Sequence, residues 1–188
     1  MIVHRVRTGG QTGVDQAAWR AAKATGFATC GIMPSWFRTL GPGGWGEESH
    51  PEFADLYGAT CSSSSAWEVR TRENVIAATA VVLLGDPVSV GSKLTVTTAI
   101  NLGRPLVWVP NAEFDSVVTD HGWVRDVLLA KFVSVTSPIG LAEWITICDV
   151  PPGDLMVSGN RERDSPPTIG PWAEAFLIET FNLLRARP

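Results

Sequence analysis

The sequence predicts a Rossmann-like α/β domain, three layers deep, with helices on both faces of a mostly parallel sheet. Three observations carry this. Residues 2–24 read as a strand, a glycine loop and an amphipathic helix. Residues 80–109 repeat that order around two continuous apolar runs, Ala80-Val81-Val82-Leu83-Leu84 and Leu106-Val107-Trp108-Val109, as expected of strands buried on both faces. The 188 residues, 45% hydrophobic and 18% charged, suit one globular domain spanning 1–188. Alternating strands and helices then imply right-handed crossovers.

In chain order, residues 2–7 are β-branched and alternating, so they form the first strand. Val14, Ala17, Ala18, Ala21 and Ala22 share one helical stripe, opposite Gln16, Arg20 and Lys23. Thr12 and Asp15 look like a capping box, and Gly26 stops the helix. Residues 28–33 form a second strand. Residues 34–64 read as a long irregular excursion, a length typical of lids and functional loops. Ser65 caps a helix to about residue 78. Ser92 caps another to Leu102, and Gly103 stops it. A short helix is expected near 124–131, and Ser137-Pro138 starts one that runs to about 148. Residues 155–157 form the last strand. Loop 158–169 leads to a final helix over 171–185, with Ala173, Phe176, Leu177, Phe181 and Leu184 as its apolar stripe.

Several function classes are disfavoured. A net charge of −4 argues against broad capture of nucleic acid. Cys30, Cys61 and Cys148 form no C-x-x-C pair, so they read as reduced thiols in or near the core. His4, His50 and His121 are scattered, so no metal site is expected. The first residues hold no apolar signal run, and no apolar stretch approaches the ~18 residues needed to span a bilayer. A cytoplasmic, membrane-free protein is the expectation.

In such sheets ligands bind beyond the carboxyl ends of the strands, where loops 8–13, 85–92 and 158–164 should converge. Gly9, Gly10, Gln11, Thr12 and Gly13 lie between strand and helix. Their backbone can approach a ligand closely, and the helix start offers N–H groups to a phosphate. The loop is neither G-x-G-x-x-G nor a P-loop, and it would also serve as a plain connection. Asp15 would cap the helix, or hold a ribose hydroxyl, an amine or a hydrated metal. Trp36, Trp45 and Trp67 flank the long excursion, either packing it onto the sheet or stacking on a flat ring.

The motif Gly9-Gly10-Gln11-Thr12-Gly13-Val14-Asp15, with Ala17-Ala18, resembles the opening of the putative molybdenum carrier proteins. Arg70-Thr71-x-x-Asn74-Val75, Gly91-Ser92-x-Leu94-Thr95, Gly103-Arg104-Pro105 and Ser158-Gly159-x-Arg161-Glu162 match that family's later blocks in order. The family belongs to a Rossmann-like superfamily that includes the cytokinin-activating phosphoribohydrolases once called lysine decarboxylases. The resemblance implies a phosphate site at residues 9–14 and a second ligand-facing loop at 90–95. It also implies homo-oligomers and, as ligand, a nucleotide, a nucleotide derivative or the molybdenum cofactor. It places Arg70 where the hydrolases use an arginine against substrate, which suits a forked grip on phosphate. Asn74, one turn on, could donate to the same ligand. Gly91 and Ser92 head their helix, and Gly159 and Arg161 follow the last strand.

Two departures matter. Where the carriers have a Pro-Lys-Gly-Arg-like segment, this chain reads Met33-Pro34-Ser35-Trp36-Phe37-Arg38. Thr95 stands where the hydrolases carry their catalytic glutamate, and it cannot act as acid or base at neutral pH. Glu73, Asp86 and Asp15 are the carboxylates near that face, and none has a known catalytic spacing. The sequence therefore favours a binding, carrier or sensor domain for a small phosphate-bearing ligand, with no catalytic residues assigned. A phosphoribohydrolase-like enzyme and a non-binding assembly domain are the alternatives.

Overall fold

The computed structural model describes residues 2–41, 46–111, 133–147, 150–162 and 168–187. The elements are β1 (Val3–Thr8), α1 (Val14–Ala24), β2 (Ala28–Met33), a 3₁₀ turn (Ser35–Phe37), β3 (Arg38–Leu40), β4 (Glu47–Ser49), α2 (Phe53–Tyr57), β5 (Ala59–Cys61), α3 (Trp67–Ala77), β6 (Ala80–Leu84), α4 (Val90–Asn101), β7 (Leu106–Val109), β8 (Val133–Ser134), α5 (Pro138–Ile147), β9 (Gly153–Gly159) and α6 (Ile169–Ala186). A seven-stranded sheet runs in the order β5-β2-β1-β9-β6-β7-β8, and every pairing in it is parallel. The chain winds outward in two directions, from β1 through α1 to β2, and from β6 through α4 to β7. The last strand, β9, fills the centre between β1 and β6.

Two cores form, one on each face. On one face α1, α5 and α6 cover Val6, Val82, Leu84, Leu155 and Val157. On the other, α3 and α4 cover Val81, Leu83 and Met156. The α1 stripe of Val14, Ala17, Ala18, Ala21 and Ala22 is fully buried. Small side chains there let α1 lie close to the sheet and to α6. Gly26 takes φ +76° just beyond the helix, ending it as expected.

Several expectations need correction. The excursion at 34–64 is not irregular. It holds the antiparallel β3–β4 pair and the edge strand β5, and a third cluster of Trp19, Met33 and Ala59 packs against Phe37, Phe53 and Tyr57. Trp19 stacks on Tyr57 at 4.7 Å and donates its indole N–H to the Cys30 carbonyl. Helix α4 begins two residues before Ser92 and is capped by Ser89. Helix α3 starts at Trp67 without a side-chain cap, so Ser65 does not cap it. Cys61 is exposed rather than core, whereas Cys30 is buried. The helix expected near 124–131, and Cys148, lie outside the described residues.

One buried charge cluster fastens the centre of the sheet. Asp154 on β9 accepts from Arg5 Nε at 2.7 Å and from Arg7 Nη2 at 2.7 Å. Arg7 and Asp154 are both buried, and Arg5 is half exposed. Cys30 on β2 places its sulfur 3.5 Å from the same carboxylate, and burial pushes that thiol up to about 11. Asp154→Ala would leave Arg7 buried without its anion, and we expect a loss of about 3–5 kcal/mol in urea unfolding at pH 7. Arg5→Ala, at the exposed end, should cost no more than about 1 kcal/mol. Burial works to raise the Asp154 carboxyl, but the two arginines outweigh it and hold it below the usual aspartate range. Its stabilisation is therefore complete above the unfolded value near ~3.9 and is lost as pH falls through the folded one. Asp154→Asn should flatten that acid-side loss.

Candidate functional site

The carboxyl edge of β1 opens into the glycine loop, and the missing side chains there are replaced by the protein's own atoms. A methyl group on Gly9 would coincide with the Arg70 guanidinium. Gly10 has φ +75°, and a Cβ on it would lie 2.8 Å from the Met33 sulfur. Gly13 has φ +83° and lies against the backbone of residues 160–162. These glycines thus let α3, β2 and the β9 loop close in on the loop.

The amide accounting corrects the expected anion cradle. Gly10 N–H donates to Thr8 Oγ1 at 3.1 Å. Gln11 N–H donates to Asp15 Oδ2 at 3.2 Å, and Val14 N–H to the Asn160 carbonyl at 3.1 Å. The amides of Thr12 and Gly13 have no bond among the described residues. The α1 terminus is therefore largely sealed by the protein, because Asp15 and Asn160 supply the acceptors that a ligand would otherwise provide. The capping box also does not form. Gly13 is the N-cap, α1 has no side-chain cap, and the Thr12 hydroxyl is buried with no partner among the described residues.

Asp15 instead faces a cation. Arg70 Nη1 lies 3.5 Å from Asp15 Oδ2, and both side chains are buried. Burial raises the Asp15 carboxyl above the ordinary aspartate value, opposed by Arg70 and by the amides of Gln11 and Gly9. Burial lowers the Arg70 guanidinium, opposed by Asp15. Trp67 lies against the same guanidinium, 5.8 Å from ring centroid to Cζ, so it supports Arg70. Among the described residues Arg70 Nε is left buried without a partner, as are Gln11 Nε2, Ser158 Oγ and Glu73 Oε2. Gln11 Oε1 accepts from the Leu40 amide at 3.2 Å, which fastens β3 to the loop.

The other expected residues divide. Asn74 is fully buried, and its polar atoms are consumed internally. It donates to the Ile32 and Arg70 carbonyls and accepts from Ile32 N–H. An amide has two N–H donors, so none remains for a ligand, and Asn74 serves as a clamp of α3 on β2. Ser92 and Thr95 are buried on α4, and Ser92 is tied to Ser89 through both its N–H and its hydroxyl. Gly91 is exposed, with open space where a Cβ would stand. Gly159 packs tightly against the Leu84 carbonyl and Val14. Arg161 lies half-buried on the loop after β9.

Two features were not anticipated, the junction made by Asn160 and the left-handed backbone at Trp36 and Phe37. Asn160 takes the Val14 amide on its carbonyl and the Asp86 amide on its side-chain oxygen, so one residue joins all three edge loops. Trp36 and Phe37 both take positive φ, 67° and 52°, at about 1–3 kcal/mol each for bulky residues. Asn160 gave no periodic or motif signal, since it fell on a variable position of the Ser158-Gly159-x-Arg161-Glu162 block. Trp45 lies outside the described residues. Among the described residues no three His, Cys, Asp or Glu side chains group closely enough to hold a metal ion, and no helix is long and apolar enough to cross a membrane.

Sheet, winding and edge together define a Rossmann-like α/β protein. The chain belongs to the circularly permutated YpsA SLOG family, whose model matches residues 6–181. Its fold is similar to the crystal structure of a putative molybdenum carrier protein from Syntrophus aciditrophicus SB. That similarity has a TM-score of 0.64 and 20% identity, and covers 96% of this chain and 95% of that one. No curated protein matches the chain.

Asn160→Ala tests the loop junction. Removing the side-chain acceptor strands the Asp86 amide, and we expect a loss of about 1–3 kcal/mol together with faster hydrogen exchange at Asp86. Unchanged exchange there would show that the 85–92 loop is held by other contacts.

Proposed function

We propose that the chain binds a small phosphate-bearing ligand at the carboxyl edge of β1 and β9. The observation that carries this reading is a set of buried polar atoms with no partner among the described residues. Gln11 Nε2, Thr12 Oγ1, Arg70 Nε and Ser158 Oγ all belong to residues at or facing that edge. Each such group costs about 1–3 kcal/mol if nothing meets it. Two are obligate N–H donors and two are hydroxyls, a set that suits an oxyanion or phosphate ester. Glu73 Oε2, one turn beyond Arg70, is an acceptor and suits a ligand hydroxyl. In this reading side chains grip the ligand, with the Thr12 and Gly13 amides as the remaining backbone donors.

The family supports a ligand-binding role, and the name of the structural neighbour, a molybdenum carrier, suits a carrier or sensor. Binding is preferred to hydrolysis because Thr95, where the related phosphoribohydrolases carry a glutamate, has no carboxylate. Thermal unfolding with AMP, GMP, ADP-ribose, molybdopterin and inorganic phosphate tests the reading. At about 100 times its Kd, a true ligand should stabilise the fold by about 2.7 kcal/mol. Gln11→Leu should reduce that shift without unfolding the protein. No shift with any compound, together with no small molecule co-purifying from cells, would overturn the reading.

A further inference from the structure

Two aspartates of this fold are buried against arginines, and they are held in opposite ways. Asp154 accepts from Arg5 and Arg7 at 2.7 Å each, and the two guanidiniums keep its carboxyl below the ordinary range. Asp15 faces one arginine, at 3.5 Å. That is well beyond the ~2.7–2.9 Å of a charge-assisted hydrogen bond. Among the described residues Arg70 is the one charged group acting on Asp15. Its pull and the amides of Gln11 and Gly9 together do not offset the burial of the carboxyl.

The Arg70 side of the pair is equally incomplete. Its Nε is buried with no partner among the described residues, and burial lowers the guanidinium against the pull of Asp15. The guanidinium and the carboxylate together fill the space beside Gly9, where an added Cβ would lie 3.0 Å from Asp15 Oδ2. That same oxygen accepts the Gln11 amide at 3.2 Å. One carboxylate oxygen thus takes a backbone N–H of the glycine loop and faces the guanidinium of α3. An oxyanion gripped at this loop would use the same two donors.

We propose that Asp15 is a built-in competitor for the anionic group of the ligand: its carboxylate stands in the oxyanion position and must give up Arg70 and the Gln11 amide before an anion binds. This concerns the regulation of the site and rests on the binding reading above. The contact sets a threshold, because an anion displaces Asp15 only when its own contacts outweigh those of the carboxylate. A carboxylate held by one long ion pair can yield in this way, whereas Asp154, locked by two arginines, cannot leave without stranding a buried charge. Removing the Asp15 charge should therefore tighten anion binding. A carboxylate that held a ligand hydroxyl would instead weaken binding when removed, and a merely structural one would leave it unchanged.

Calorimetric titration of the full chain with AMP and inorganic phosphate at about pH 8, where AMP is a dianion, tests this. Asp15→Asn keeps the shape of the side chain and an acceptor for the Gln11 amide, but removes the charge. It should bind AMP at least about tenfold more tightly than the wild type, since a unit charge within a few ångströms of a partly buried anion is worth at least that. The variant leaves Arg70 buried and unpaired, so without ligand it should melt below the wild type. Saturating phosphate should recover more of that difference than sodium chloride at equal ionic strength. Folding of Asp15→Asn in phosphate alone supports the same conclusion. If it folds in neither salt, Asp15 is a fixed structural partner of Arg70 and the proposal falls. Unchanged or weaker AMP binding by folded Asp15→Asn overturns the displacement and leaves the phosphate site standing. If neither the wild type nor Asp15→Asn binds AMP or inorganic phosphate, the edge is not a phosphate site and both readings fall.

Discussion

The candidate site depends on the placement of β9 between β1 and β6. Each of those strands starts a unit that winds away from the other, so the space between their carboxyl ends would otherwise be a gap. β9 closes the sheet there and delivers residues 158–162 between the two glycine-bearing loops. Asn160 then bonds to both loops at once. Glu162 continues the chain of contacts by accepting the Gly170 amide at the start of α6, where a carboxylate also suits the helix dipole. Deeper in the sheet, Asp154 on the same strand pairs with Arg5 and Arg7 of β1. One strand thus sets both the register of the core and the shape of the edge.

Local pattern revealed those parts of the fold whose stabilisation is local or periodic. The α1 stripe is legible because five small or branched residues recur at helical spacing. β6 and β7 are legible because both faces of each are buried, which leaves an unbroken apolar run. The segment from Ser35 to Cys61 was not legible for the opposite reason. Its strands are three residues long, too short for an alternation to register. They are held by contacts distant in sequence, such as the Leu40 amide on Gln11 and the Ser62 amide on the Met33 carbonyl. β9 was read too short because Gly153, Asp154, Ser158 and Gly159 carry no strand preference, and tertiary pairing overrides that.

For the site, residue identity was more legible than residue role. The loop glycines do permit close approach, but the approaching atoms belong to Arg70, Met33 and residues 160–162. Asp15 sits in the first turn of α1, as a capping residue would, yet its carboxylate faces a guanidinium from α3. Asn74 shares a helix face with Arg70, and hydrogen-bond saturation decides between them. One is saturated by β2, and the other keeps a free Nε. A single sequence does not report how many of a polar group's bonds are already made, and that count separates a ligand-facing residue from a structural one.

Two unlike costs meet at this edge. One is electrostatic: buried donors without acceptors, beside an aspartate–arginine pair that burial itself disfavours. The other is conformational: two consecutive aromatics held in left-handed geometry, one of them facing solvent. Neither improves the packing of the sheet: an apolar residue would remove the first cost, and a glycine the second. In α1, β6 and β7, by contrast, local preference and global packing agree. Departures from that agreement tend to gather where function demands them. The buried donors of Gln11, Thr12 and Arg70 that lack an acceptor among the described residues lie on the glycine loop and its α3 neighbour, and that departure is the one the binding proposal rests on.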